Sequence, residues 1–327
     1  MKKMEQQEMI LKRSCFNSKD AVTIFVLCAI VSSLLASIVA GLVVAILQGL
    51  LGINHSLADN KYAICLQYII FFGFMMLFLI KYSKKNNIML PQAFEAKRTT
   101  KRGVSVAIMI GVICVVASAP LVSYIGHLFA RLGYSPTGTT LPLNNAWDLV
   151  LNLVFLCLLP AVCEELIYRG AILKGLNQSM KGVWAITLTS VIFMLAHGSL
   201  EQSIYQLILG FVLTYITYMT GNILYSMIIH FTNNASVVLL SFLQNMTTPW
   251  LIDFTKWYNI VSIILGFVIG MSLIATILIV WTKKVKKTST TTVVVVKEKM
   301  SISSMMWLIF GIAILIVLWI AGTAVGF

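Results

Sequence analysis

The chain has 327 residues, of which 59% are apolar and 11% are charged, and its formal net charge is +13. The apolar residues come in blocks of about twenty, the length of a helix that crosses a bilayer, so we predict a polytopic membrane protein rather than a soluble one. The basic residues concentrate between these blocks, where a bias toward one side of a membrane accounts for them, so nucleic acid is excluded as a partner. The six cysteines are scattered singly, without the spacing of a disulfide framework or a zinc knuckle.

Nine apolar segments follow one another along the chain. They lie near residues 21–51, 62–80, 103–129, 147–169, 183–199, 203–220, 222–245, 258–282 and 304–325. We therefore predict an all-α polytopic membrane protein of about eight to nine transmembrane helices, with the active site within the bundle.

The distribution of lysine and arginine predicts the orientation. With the N-terminus inside, the outer segments carry only Lys61, Arg131 and Lys256, while the inner segments carry the other basic residues. We predict a multi-pass protein of a cell membrane with a cytoplasmic N-terminus. The short loops, and a sequence without an organelle signal, favour a bacterial plasma membrane.

Two adjacent carboxylates stand at the end of an apolar segment, in residues 163–170, Cys-Glu-Glu-Leu-Ile-Tyr-Arg-Gly. A carboxylate within hydrocarbon costs several kcal/mol unless it is paired, so it indicates a functional site. Glu165 and Arg169 are spaced i, i+4 and are predicted to form a structural ion pair, which leaves Glu164 for chemistry. Successive helical residues point about 100° apart, so we expect one of the two carboxylates to face a shared cavity. Pro160 leaves the carbonyl of Leu156 without its usual N–H partner and favours a kink.

Three further polar residues lie at similar depth. His197 ends the fifth segment, about 21 Å from the inner surface, while His230 and Asn234 share one face of the seventh, with Asn234 about 18 Å deep. Glu164 matches them, at about 17 Å, if the fourth helix continues to about Gly175, which we therefore predict. Single polar residues often only hold membrane helices together, but four at one depth on three helices favour an active site.

The motifs Glu-Glu-x-x-x-Arg, Phe-x-x-x-His and His-x-x-x-Asn, complete and in order within residues 147–245, resemble those of the CPBP family of intramembrane proteases. This is the CAAX-protease and bacteriocin-processing, or Abi, family, and its bacterial members include proteins linked to bacteriocin immunity. The resemblance implies a helical membrane fold with an intramembrane endopeptidase site. It also implies that Glu164 and His197 activate a water, that His230 and Asn234 hold the oxyanion, and that the second glutamate and the arginine of the first motif support them.

The apolar segments predict a division of the chain, in which the resemblance covers only residues 147–245. Residues 1–20 form a cytoplasmic N-terminal segment, 21–130 the N-terminal transmembrane helices, 147–245 the protease-like core, and 255–327 the C-terminal transmembrane helices with a basic linker at 283–303. The expected partners are a peptide or membrane-protein substrate and the lipid bilayer.

No cofactor is predicted, although zinc is an alternative. Glu164, His197 and His230 have the side chains of a catalytic zinc site, but the sequence lacks the His-Glu-x-x-His helix of the usual arrangement. We therefore favour a metal-free mechanism.

Two functions from other classes compete with proteolysis. The same residues could serve a non-catalytic membrane protein that binds a peptide or confers immunity, or a proton-coupled transporter, although no internal repeat supports a transporter. The discriminating change is Glu164→Gln.

Overall fold

The computed structural model describes residues 15–51, 60–94, 99–135, 141–246, 254–288 and 298–326. These residues are folded almost entirely into helices. The helices are α1 (Ser18–Leu50), α2 (Lys61–Lys85), α3 (Leu90–Phe94), α4 (Lys101–Arg131), α5 (Ala146–Asn177), α6 (Gly182–Ala196), α7 (Leu200–Thr220), α8 (Ile223–Met246), α9 (Trp257–Thr288) and α10 (Ile302–Ala324). The predicted all-α fold is confirmed.

Eight of these helices are long and apolar enough to cross a membrane, namely α1, α2, α4, α5 and α7 to α10. The chain is a multi-pass membrane protein. The fifth predicted segment forms the shorter α6, whose 15 residues extend about 22 Å, less than the roughly 30 Å of a bilayer core. The prediction of about eight to nine membrane helices is therefore confirmed for the described residues, and α6 is the predicted segment that is too short to span the bilayer. The division into domains stays a prediction, and residues 1–14 of its first segment and 289–297 of its linker lie outside the described residues.

Helix α5 continues to Asn177, as the depth of the predicted site required. Within it, two stretches are wound as π-helix, over Leu153–Leu158 and Leu166–Ile172. The first ends just before Pro160, where we expected a kink, and the second begins directly after the glutamate pair. Such wide turns inside α-helices frequently mark functional sites.

The bundle is organised around α5, which packs against α1, α2, α3, α6 and α8. One hydrophobic cluster joins α5 to α1, α2, α6 and α10, and a second joins α4, α7, α8 and α9. Small residues let neighbouring helices approach: a side chain on Gly111 of α4 would collide with Thr232 of α8, and one on Gly210 of α7 would press on Phe193 of α6.

The turn between α6 and α7 is short and is covered by α10. Gly198 in this turn has φ +61°, a left-handed conformation that favours glycine. Its carbonyl lies directly against Gly322 of α10, where an added Cβ would collide with it. One turn earlier on α10, Trp319 donates from Nε1 to the hydroxyl of Ser203, at 2.7 Å.

Candidate active site

A buried ion pair joins the two supporting residues of the first motif. Arg169 Nη1 donates to Glu165 Oε1 at 2.7 Å, and neither side chain is exposed to solvent. The predicted i, i+4 pair is therefore formed, although the helix widens between the two residues. Arg169 Nη2 also contacts the carbonyl oxygen of Gly210, at 3.4 Å, which ties α5 to α7.

The imidazole of His230 reaches from α8 to both glutamates. Its Nδ1 lies 2.9 Å from Glu165 Oε1, and its Nε2 lies 4.0 Å from Glu164 Oε2. Both carboxylates therefore face the same imidazole, and the expectation that one of them points into a shared cavity stays a prediction. An imidazole carries its nitrogens on different edges of the ring, so one side chain entering from another helix can face two consecutive residues of α5.

This arrangement determines which atoms of His230 hold protons. An ionised carboxylate can only accept a hydrogen bond, so the contact with Glu165, itself paired with Arg169, places a proton on Nδ1. The Nε2 atom then faces Glu164, at a distance longer than a hydrogen bond. Glu164 Oε2 is buried and has no hydrogen-bond partner among the described residues, so this carboxylate oxygen is uncommitted.

His197 follows the last residue of α6 and is held in one orientation. Its Nδ1 lies 2.7 Å from the carbonyl oxygen of Phe193, which can only accept, so Nδ1 carries the proton of the neutral ring. The Nε2 atom therefore offers a free lone pair. The ring of Phe193 lies beside both His197 and His230, and His230 faces Glu164, so the structure brings these three predicted residues to one region of the bundle.

The ring of Phe193 lies at the centre of this group. Its centroid is 4.3 Å from the Arg169 guanidinium carbon, 4.7 Å from the His197 ring and 6.0 Å from the His230 ring. The cation lies within the distance of a cation–π contact. We had used Phe193 only as the first position of a motif. Its i, i+4 spacing from His197 predicts that contact, but the other two depend on how the helices are rotated.

Asn234 is fixed by a chain of hydrogen bonds. Its Nδ2 donates to the Leu156 carbonyl at 2.9 Å, the carbonyl that Pro160 leaves without a helical partner. Its Oδ1 accepts from Asn233 Nδ2 at 3.1 Å, and Asn233 Oδ1 accepts from the hydroxyl of Tyr205 at 2.6 Å. A side-chain amide has two N–H donors, so one N–H of Asn234 remains for another acceptor.

Tyr205 and Asn233 were missed as members of the site. Asn233 is not a defining residue of the three motifs, and a lone tyrosine in an apolar helix gives no signal of function. The signal that could have found them is the tandem of asparagines at 233 and 234, because polar side chains within a membrane helix need partners on other helices.

The candidate zinc ligands are not grouped as a metal site. Among the residues that the structure describes, no three His, Cys, Asp or Glu side chains are arranged to hold a metal ion. His230 also commits Nδ1 to Glu165.

Comparison with known proteins identifies the same part of the chain. Residues 146–236 match the model of the Rce1-like family of type II CAAX prenyl endopeptidases, which confirms the resemblance recognised from the motifs. The match covers under a third of the chain, from the start of α5 into α8, and includes all three motifs. No curated protein and no solved structure matches the chain.

Proposed function

We propose, from the similarity of residues 146–236 to Rce1-like type II CAAX prenyl endopeptidases, that this protein is an intramembrane endopeptidase. It would hydrolyse peptide bonds of membrane-associated proteins or peptides. The observation that carries the proposal is the uncommitted carboxylate oxygen of Glu164, buried in the bundle beside His230 and His197. A carboxylate kept there without a partner costs free energy, and catalysis gives a reason for it.

Glu164 and His197 would activate the attacking water. Peptide hydrolysis needs a base that takes a proton from water and an acid that protonates the leaving nitrogen. Glu164 takes the proton while the water oxygen bonds to the scissile carbonyl carbon, and it returns that proton to the nitrogen as the C–N bond breaks. His197 accepts a hydrogen bond from the same water through its free Nε2, which orients the oxygen for attack.

His230 and Asn234 would stabilise the oxyanion that forms at the carbonyl oxygen. Because His230 donates through Nδ1 to Glu165, it can also donate through Nε2 only as the doubly protonated ring. Asn234 contributes its second N–H, and donors fixed in advance at such a site typically change the rate by 10² to 10³ each.

The proposed mechanism is independent of metal, because acid, base and oxyanion donors are all supplied by side chains. In the zinc alternative, Glu164, His197 and His230 would be the ligands and the metal would supply an activated water. The substrate that we favour is a membrane-embedded or amphipathic peptide. A farnesylated peptide is the natural second probe, because the matched family is named for prenyl substrates.

The test compares the natural protein with Glu164→Gln and with the control Glu201→Gln, which removes a carboxylate from α7 outside the site. The purified proteins, in lipid nanodiscs, are given fluorescence-quenched peptides, one amphipathic and one farnesylated. We expect Glu164→Gln to lose cleavage by a factor of about 10² to 10⁴, and Glu201→Gln to retain it.

The same three proteins are then produced in cells at matched levels, and the membrane and secreted peptides are compared. Fragments that depend on Glu164 would identify the substrate and the cleavage site. Identical peptide pools, together with no cleavage of either probe by the natural protein, would refute the proposal. Retained binding of a peptide would then favour the immunity or peptide-binding function.

A further inference from the structure

A cavity lies between the first turns of α1 and α10, and none of its lining residues belongs to the candidate active site. Its volume is about 590 Å³. Its polar lining consists of Lys19, Thr23, Ser301, Ser303 and Ser304. Its apolar lining consists of Val22, Val26, Leu27 and Trp307. A cavity of this size can hold a small molecule, and this one combines one cation with hydroxyl groups and hydrocarbon.

The polar side of the cavity is available to a ligand. Lys19 is exposed and forms no salt bridge with any residue that the structure describes. Ser303 is exposed, and Ser304 is buried with its hydroxyl oxygen accepting from Ser301 at 2.9 Å. Because the oxygen of Ser304 serves as the acceptor, its own proton can be donated into the cavity. One ammonium group and these hydroxyls are suitable donors to a phosphate.

The apolar side of the cavity includes exposed and partly exposed side chains. Trp307 is 52% exposed on the first turns of α10, and Val26 and Leu27 are partly exposed on α1. Tryptophan is enriched at the boundary between lipid head groups and hydrocarbon. The cavity thus has a cationic mouth and a hydrocarbon wall, which is the polarity of a phospholipid.

The cavity lies at the basic end of the bundle. The hydroxyl of Tyr82, near the end of α2, donates to Asp20 on α1 at 2.9 Å. The backbone N–H of Glu298, just before α10, donates to the carbonyl of Gln178, just after α5. Helix ends that meet there carry Lys19, Lys81, Lys84, Lys85 and Lys174. This is the end that the basic residues predict to be cytoplasmic, where anionic lipids are attracted to such segments.

We propose that this cavity binds one anionic phospholipid. Its phosphate would contact Lys19 and the hydroxyls of Ser303 and Ser304, while an acyl chain would lie against Val26 and Trp307. A lipid bound in this way bridges α1 and α10, and it stabilises the folded protein because the unfolded chain has no such cavity.

The experiment measures lipid binding to the purified full chain in a neutral detergent. Phosphatidylglycerol and phosphatidylcholine with the same acyl chains are titrated, and bound lipid is counted by native mass spectrometry. The variants are Lys19→Gln, which removes the cation, and Ser303→Phe, which fills the mouth from an exposed position. Their controls are Lys181→Gln, another exposed lysine outside the cavity, and Met305→Phe on the same helix.

We expect one phosphatidylglycerol to bind more tightly than phosphatidylcholine. Lys19→Gln should weaken it about fivefold, because one lysine near anionic lipid contributes about that factor. Ser303→Phe should abolish the bound lipid, and both controls should bind as the natural protein does. Equal binding of the two lipids, or equal losses in variants and controls, would overturn the proposal. Competition by inorganic phosphate at the same concentration as the lipid would also overturn it, because it would identify a simple anion site.

Discussion

Replacing Arg169 with methionine should destabilise the folded protein strongly. The guanidinium is fully buried, donates to Glu165 at 2.7 Å and lies 4.3 Å from the centre of the Phe193 ring. Removing one partner of a buried ion pair leaves an uncompensated charge and costs about 3 to 5 kcal/mol. We expect the lower end of this range, about 3 kcal/mol, because His230 still forms a hydrogen bond with the same oxygen of Glu165.

This loss can be measured as a shift in the unfolding temperature. A loss of about 1 kcal/mol in the free energy of unfolding lowers the unfolding temperature by roughly 2 to 4 °C in domains of 150 to 250 residues. The unfolding temperature of Arg169→Met should therefore be at least about 6 °C lower than that of the natural protein. The assay is the reaction of buried cysteines with a thiol-specific dye during heating, for which Cys28, Cys114 and Cys157 are suitable because they are buried when the protein is folded.

A double variant separates lost charge balance from lost packing. Glu165→Gln together with Arg169→Met removes both charges, so it should unfold at a higher temperature than Arg169→Met alone. Two results would refute the reasoning. One is a shift below about 2 °C for Arg169→Met, which is too small for a broken buried ion pair that costs about 3 kcal/mol. The other is a double variant that is less stable than the single one.

Three further outcomes are expected. Tyr205→Phe removes the hydroxyl that donates to Asn233, so it should lower kcat about five- to tenfold with little change in KM. This factor corresponds to the loss of one positioning hydrogen bond of about 1 kcal/mol. The control Tyr215→Phe, on the same helix, should leave kcat unchanged. Lys61→Met should lower the unfolding temperature by less than Arg169→Met does. Lys61 pairs with Asp148 at 2.6 Å, but its side chain is partly exposed, and solvent weakens such a pair. A shift equal to or larger than that of Arg169→Met would contradict this prediction. Dialysis against a chelator should leave peptide cleavage unchanged, and a loss that zinc restores would refute the metal-independent mechanism.

The helices could be predicted because their causes are local. Runs of about twenty apolar residues specify membrane helices wherever the rest of the chain lies, and i, i+4 spacing suffices to pair Glu165 with Arg169. The length of α5 was also predictable, since Glu164 could match the depth of the histidines only if α5 continued past Gly170.

Contacts between helices were predictable only in part. Both halves of one hydrogen bond were visible in the sequence, namely the carbonyl of Leu156 that Pro160 cannot pair and an asparagine at suitable depth on another segment. Their joining, like the contact between His230 and Glu165, depends on the rotation of α8 against α5. Apolar membrane helices have no single hydrophobic face that would report this rotation, because hydrocarbon lies outside and apolar side chains lie inside.

Because α6 is short, helix α10 has a structural role that its own sequence does not predict. Because the 15 residues of α6 extend only about 22 Å, we expect the turn after His197 to lie inside the bilayer, where peptide groups outside a helix are tolerated only against protein or water. Helix α10 supplies that shield, with Gly322 against the carbonyl of Gly198 and Trp319 bonded to Ser203. We therefore expect α10 to separate this turn, and His197 beside it, from the lipid, which would make α10 part of the wall of the candidate active site.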